Sequence, residues 1–329
     1  MALKEKWQNW RAEKKRAKSA GDYLSVKKDL KRNWSLYILV LPVLIWYVIF
    51  AYLPLSGLLM AFQNFKFNIR YSFLGNLFRS EWVGFDQFVK MLTSPYFFRV
   101  LWNTLRISLT SLAFGFPMPI IFAIMLNEVR QAKFKRVTQT ISYMPHFISI
   151  VVICGMIKDF CGSNGVITTI MSAVTGKEIT NMMLVPEYFT TIYVVSGIWQ
   201  EVGWSSILYL AALSGIDQEL YEAATVDGAG RWKQTIHVTL PGILPTVVIM
   251  LIMRCGSILS VGFEKVLLLM NDITAEKAEV ISTFVYKRGL LNKEWSFSVA
   301  TGLLNSVVNF ALLMLVNKIC EKTTENSLW

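Results

Sequence analysis

The sequence predicts an all-α integral membrane protein with six spanning helices. Hydrophobic residues fill 54% of its 329 positions and charged ones only 17%, which is less charge than a water-soluble domain of this size carries. Four long runs contain no Asp, Glu, Lys or Arg: Trp34 to Phe65, Ile107 to Asn127, Val137 to Ile157 and Trp295 to Asn317. Two further apolar segments hold one charge each, Tyr188 to Leu213 at Glu201 and Gly242 to Phe263 at Arg254. At about 1.5 Å per residue, each segment is long enough to cross about 30 Å of hydrocarbon.

The spans so predicted cover about 36–60, 101–126, 137–157, 188–214, 242–263 and 295–317. They form one membrane domain, 34–320, between a basic segment at 1–33 and a short tail at 321–329. The first span contains Pro42 and Pro54, tolerated where neighbours re-satisfy the freed carbonyls. The stretch Arg70 to Arg99 is long for a connection. Its aromatic residues, among them Trp82, Phe85, Phe88, Tyr96 and Phe97, suit a structured segment at the membrane interface. Cys161 to Lys177 is rich in Gly, Ser and Thr and too polar for a seventh span; a re-entrant or interfacial helix is the reading it allows.

The formal charge of +11 fixes an orientation. Residues 1–33 hold eleven Lys or Arg against four acids, and the short loop Glu128 to Arg136 holds Arg130, Lys133, Lys135 and Arg136 against one acid. Basic residues in short loops favour the cytoplasm. With six spans both termini then lie inside, as does the loop at about 215–240, while 64–100, 158–187 and 264–294 face outward. The basic tail directly precedes a span, so anionic lipid headgroups are its nearer counter-charge and nucleic acid is not an expected partner. Leu3, Trp7 and Trp10 share one helical face among Lys4, Lys6, Arg11, Lys14 and Lys15, which fits either an amphipathic helix on the inner leaflet or a solvated arm. The basic start has the wrong order for a cleavable signal peptide.

Several chemistries find no support. Cys154, Cys161, Cys255 and Cys320 show no metal or redox spacing and read as small buried hydrophobes. His146 and His237 are isolated, so no metal site is expected. There is no Gly-x4-Gly-Lys-Ser/Thr motif to cradle a phosphate, and no catalytic constellation. The chain reads as non-catalytic, with no cofactor of its own.

The loop after the fourth span is the most informative segment. Asp217 suits a helix N-cap, with Glu219 and Glu222 early in the helix where its dipole favours negative charge. Leu220, Ala223 and Ala224 make a small apolar stripe. Gly228 and Gly230 end the helix and let the chain turn. Arg231 to Val238 reads as a second short helix, and Pro241 suits the first turn of the next span. Two small-faced helices at a membrane surface make a docking knob for another protein. Glu222-Ala223-Ala224, three residues, Gly228, nine residues, then Val238-Thr239-Leu240-Pro241 resembles the EAA loop of bacterial ABC-importer permeases, with Val where that family carries Ile.

That resemblance implies the type I ABC-importer permease fold and a location in the bacterial cytoplasmic membrane. It implies that the loop seats in a groove on a separate ATPase subunit, which binds the ATP and magnesium. Glu222, Ala223, Ala224, Gly228, Leu240 and Pro241 would then carry the coupling. It implies as partners a second, related permease, two ATPase copies, and an extracellular lipoprotein or periplasmic sugar-binding protein. Trp82-Val-Gly-Phe-Asp86 and Asn103-Thr104-Leu105 are similar to the maltose-type sugar permeases. Gly262-Phe-Glu-Lys-Val266, Val280-Ile-Ser-Thr-Phe-Val-Tyr286, Gly302-Leu-Leu-Asn-Ser306 and Ser327-Leu-Trp329 look like a narrower subgroup of polysaccharide, aldouronate and alginate permeases.

Ionisable residues inside spans face the bundle interior. Trp199, Gln200, Glu201, Trp204 and Arg254 are therefore candidates for the substrate path, with tryptophans stacking on sugar faces. A Glu201–Arg254 ion pair that fixes helix packing is the competing reading. The expected function is an ATP-driven importer of oligosaccharides or polysaccharide fragments. The rivals are an ion-coupled carrier, which would show repeats and intramembrane carboxylates, and a membrane-embedded glycan or lipid enzyme, which would need an interfacial catalytic cluster.

Overall fold

The computed structural model describes residues 29, 30, 32–176, 178, 181–324 and 326–328. The proposed amphipathic face around Trp7, together with Lys177 and Trp329, lies outside them. The chain divides into two units, one ending at Leu58 and the other starting at Leu59.

The first unit is the greater part of helix α1, Trp34–Phe62. It buries none of its residues in 34–47 against its own unit, as an apolar helix clothed by lipid or a partner would. Pro42 sits inside regular helix, but ahead of Pro54 the helix widens into a π turn at Val48–Tyr52. The same pairing recurs twice in the second unit, with π turns at Ser111–Gly115 before Pro117 and at Thr235–Thr239 before Pro241. A proline offers no N–H to the carbonyl four residues back and its ring crowds that carbonyl; a wider turn relieves both problems.

The second unit is helical apart from one two-residue antiparallel pair, β1 (Gln63–Asn64) and β2 (Glu81–Trp82), a small departure from an all-α chain. Around it lie α2 (Phe73–Arg79) and α3 (Asp86–Leu92), so the aromatic segment is structured as expected. Buried Asn76 ties it together by donating to the carbonyls of Asn68, Tyr71 and Ser72.

Helix α4 runs Pro95–Glu128 and the last long helix, α14, runs Trp295–Thr324. The predicted third span is not one straight helix. Ala132–Phe147 (α5) and Ile150–Cys161 (α6) meet at 99°. Pro145 lies in a 3-10 turn, and Ile148 and Ser149 take extended ψ values of 134° and 138°, so the ladder breaks there. Cys161 to Lys177 contains a ten-residue helix, α7 (Val166–Thr175), too short to cross hydrocarbon. Helix α8 (Phe189–Ser214) has 26 residues, long enough to span, although it is more polar than the others. Among the described residues four helices qualify as spans by length and apolar composition, or five counting the bent pair as one.

Helix α9 (Gln218–Val226) precedes α10, Arg231–Cys255. Arg231 to Val238 is thus not a separate helix; it continues through its π turn into the span. The predicted fifth span also ends early, at Cys255 rather than Phe263, where Gly256 approaches α14 so closely that a Cβ would meet Leu313 Cδ1 at 2.5 Å. Short helices α11 (Phe263–Leu269), α12 (Ala275–Ala278) and α13 (Ile281–Tyr286) fill the segment before α14.

Two core clusters define the ends of this unit. Ala123, Tyr209, Leu213 and Ile243 join the C-terminal ends of α4 and α8 to the N-terminal part of α10. The basic loop 128–136 and the 215–230 connection therefore leave the same end. At the other end Ile107, Phe189, Ile192, Val266, Ala278 and Val280 pack together. Asn103 donates to the carbonyls of Glu276 and Glu279, Arg106 to that of Lys277, and Asn271 to that of Met183. These bonds seal α12 and its flanks onto α4 and the approach to α8. Cys154, Cys161 and Cys320 are buried in the apolar core.

Candidate functional site

The knob at 217–241 is built largely as its sequence suggests. Asp217 caps α9 by accepting from the Glu219 N–H at 3.0 Å. Gly228 turns the chain with φ +75°, a region open to glycine at little cost, and the Ala229 N–H closes the turn on Ala224 O at 2.8 Å. Two further side chains lock the halves. Gln234 Nε2 donates to Thr225 Oγ1 at 3.0 Å and Ala229 O at 3.1 Å. Tyr221 Oη and Thr239 Oγ1 lie 3.1 Å apart, joining α9 to the π turn. Gly242 lets the span pass Ile216, where a Cβ would meet Cδ1 at 2.7 Å. Glu222, Ala223, Leu240 and Gly228 are exposed, as are Val226 and Trp232. The result is a braced pair of helices with an apolar, acid-bearing outer surface. Tyr221, Thr225, Gln234 and Thr239 carry no special signal in the sequence, because their partners depend on where the turn falls.

Within the second unit a cavity of about 890 Å³ runs along α8. One face of that helix lines it: Tyr193, Gly197, Gln200, Glu201 and Trp204, spaced by three or four residues as neighbours on one helical stripe are. Arg254 enters from α10 and Lys265 from α11. Of the sequence candidates, Gln200, Glu201, Trp204 and Arg254 therefore converge. Trp199 does not line the cavity; two residues before Glu201, it falls about 200° around the helix.

Glu201 does not pair with Arg254. Its Oε2 lies 3.0 Å from His146 Nδ1, in the break between α5 and α6. The His146 ring stacks on Trp204 at 4.5 Å and 4°, and Phe147 packs edge-on to the same indole at 5.3 Å. His146 is thus not isolated, and one face of Trp204 is already occupied. Gly203 makes this junction: a Cβ there would lie 2.2 Å from Ser142 O. The clasp escapes sequence reading because its members are 55 residues apart. Among the described residues the Arg254 side chain makes no hydrogen bond or ion pair; its carbonyl accepts from Ser257.

Lys265 is the residue that sequence reading misses. It is 7% exposed, donates to Tyr193 O at 3.2 Å and lies 4.9 Å from the Tyr193 ring centroid. Gly197 lies against it: a Cβ there would sit 3.5 Å from Nζ, in ordinary contact. A second cavity of about 280 Å³ continues past Arg254 and shares Tyr193, Ser111 and Ser257 with the first, adding Ser108 and Ser260.

Apolar helices of spanning length, a braced surface knob and a largely apolar cavity bearing Glu201, Arg254 and Lys265 between helices together define a multi-pass membrane permease. Residues 115–319 match the binding-protein-dependent transport system inner membrane component family, and the chain belongs to it. That family is a membrane permease component rather than an ATPase. The chain is 41% identical over 312 residues to protein LplB of Bacillus subtilis (strain 168), covering 94% of this chain and 96% of LplB. It is also 41% identical over 294 residues to the polygalacturonan/rhamnogalacturonan transport system permease protein YteP of the same organism, covering 89% and 90%. Among solved structures it resembles a chain of the bacterial alginate ABC transporter in complex with an alginate pentasaccharide-bound periplasmic protein. The TM-score is 0.82 at 41% identity, covering 93% of this chain and 100% of that one.

Proposed function

We propose that this chain forms one half of the translocation path of an ATP-driven saccharide importer and couples to its ATPase through the 217–241 knob. It is the permease subunit of an ABC importer for oligosaccharides or polysaccharide fragments. The observation that carries the coupling role is the knob itself, braced by the Gln234 and Tyr221 contacts and leaving from the end that also bears the basic loop 128–136. With basic loops cytoplasmic, that end faces the ATPase, both termini lie inside, and 264–294 faces the exterior of a bacterial cytoplasmic membrane. The bent pair α5–α6 and helix α8 complete six crossings.

YteP is named for polygalacturonan/rhamnogalacturonan transport, and the alginate transporter was solved with an alginate pentasaccharide-bound periplasmic protein. By the EAA-loop resemblance the chain works with a second related permease and two ATPase copies holding ATP and magnesium, and the likeness to the alginate transporter supports an extracellular lipoprotein or periplasmic sugar-binding protein as a further partner. ATP binding closes the ATPase dimer, moves the knob, and through the unbroken helix α10 moves the cavity wall at Arg254.

The test is reconstitution of the complex in proteoliposomes with a saccharide-loaded binding protein outside and ATP inside. Glu222→Lys and Gly228→Trp should leave the chain inserted and abolish uptake. Unimpaired uptake in both variants would reject the coupling role.

A further inference from the structure

Among the described residues, two side chains of the Asp, Glu, Lys and Arg types are almost completely buried, Lys265 and Glu279. They are treated very differently. Glu279 is paired, with Lys287 Nζ at 2.9 Å and Arg99 at 4.0 Å. Lys265 has no carboxylate partner within ion-pair distance among the described residues; a backbone carbonyl and a tyrosine ring hold it. The carboxylate that shares its cavity, Glu201, is bonded to His146. Arg254, lining both cavities, also has no ion-pair partner among the described residues.

Burying a cation without a counter-charge is costly, and folds do it where the charge is used. Here two cations look into one space, and Glu201, the acid that lines it among the described residues, is otherwise engaged. The space is large enough for sugar rings, continues into a serine-lined extension, and offers hydroxyl groups from Tyr193, Ser111 and Ser257. The missing partner is therefore an anion carried by a polyhydroxylated solute.

We infer that Lys265 and Arg254 form a two-point carboxylate-binding pair that selects uronate-bearing saccharides over neutral ones in the α8–α10 cavity. This rests on the reading of that cavity as the saccharide path. Lys265, fixed by Tyr193, is the rigid point. Arg254, on an exposed helix face, follows the carboxylate as the sugar passes from one cavity to the next. The direction of selection follows from charge balance: a neutral sugar entering the cavity would leave both cations unsatisfied, whereas a carboxylate pairs with them.

The test uses the assembled transporter in proteoliposomes with two probes of the same sugar backbone, trigalacturonate and its fully methyl-esterified form, which replaces each charge by a methyl ester, plus maltotriose. The wild type should take up the acid in preference to the ester. Lys265→Gln and Arg254→Gln should each cut the acid-to-ester ratio roughly tenfold, the scale of one charge-assisted hydrogen bond, and Lys265→Arg should keep it. Should Lys265→Gln fail to insert, the exposed Arg254→Gln carries the comparison. An unaltered ratio in Arg254→Gln, or a wild type indifferent to esterification, overturns the inference. Uptake of maltotriose alone overturns it too but leaves the importer standing. ATP that drives no saccharide uptake overturns the importer reading itself.

Discussion

At the scale of single residues, the junction between α5 and α8 depends on an absent side chain. Gly203 brings the α8 backbone against Ser142 so closely that any Cβ would overlap its carbonyl. Unlike a collision with the far end of a flexible side chain, this one is with backbone and is relieved only by moving a helix. Gly203→Ala should therefore cost about 1–3 kcal/mol or more, seen as a lowered unfolding temperature in detergent micelles; an unchanged value would mean the helices are not in that contact. Next to it, His146 contributes two separable interactions. His146→Phe keeps an aromatic ring over Trp204 but loses the bond to Glu201, whereas His146→Ala loses both. With Glu201 half-exposed, the bond contributes about 1 kcal/mol. The alanine variant should unfold at the lower temperature of the two, and equal losses would mean that the stack contributes nothing.

At the scale of elements, the lengths of the apolar runs were legible in the sequence and their shapes were not. Charge-free runs mark where hydrocarbon can be crossed, because a buried charge is costly whatever its neighbours. They are silent about direction. Val137 to Ile157 reads as one span, yet Pro145 and the extended Ile148 and Ser149 bend it by 99°. Prolines warn of distortion without fixing its kind: Pro42 leaves its helix regular, while Pro54, Pro117 and Pro241 each follow a π turn by two residues. The knob was legible because its parts are local, a cap, a left-handed glycine and short spacings. The Glu201–His146 bond and the position of Lys265 were not, because pairing across the cavity depends on which helix faces which. The π turn before Pro241 gives a test of that element. Pro241→Ala restores an N–H and removes the ring clash, so the turn can regularise to α-helix. Residues 231–238 would then rotate by about 100° relative to the span, carrying the knob with them. ATP-driven uptake should fall several-fold while ATPase activity and membrane insertion persist; normal uptake would show that the turn stays wide without the proline.

At the scale of the whole chain, the question is which end faces which side, and the packing makes it a single question. The Ala123–Tyr209–Leu213–Ile243 cluster forces loop 128–136 and the knob to one end, and the cluster around Ile107, Ile192 and Val280 forces 271–280 to the other. No local rearrangement can move one loop across without unpacking a core, so one pair of sites reports on the whole unit. Val226 and Ile273 are both well exposed, at 87% and 56%, and they lie near opposite ends. Single cysteines placed there stand out from the native thiols, three of which are buried and the fourth half-buried. In intact cells, a membrane-impermeant maleimide should label Ile273→Cys and leave Val226→Cys untouched until the membrane is opened. The reverse pattern would put the knob outside, beyond reach of any cytoplasmic ATPase. Labelling of both in sealed cells would mean that the two clusters do not lie on opposite sides of the bilayer. The positive-inside bias and the helix packing are independent of each other, since one arises during insertion and the other from burial in the finished fold. The bias places the basic loop 128–136, the packing puts the acid-bearing 215–230 connection at the same end, and the two steps together argue for a cytoplasmic knob.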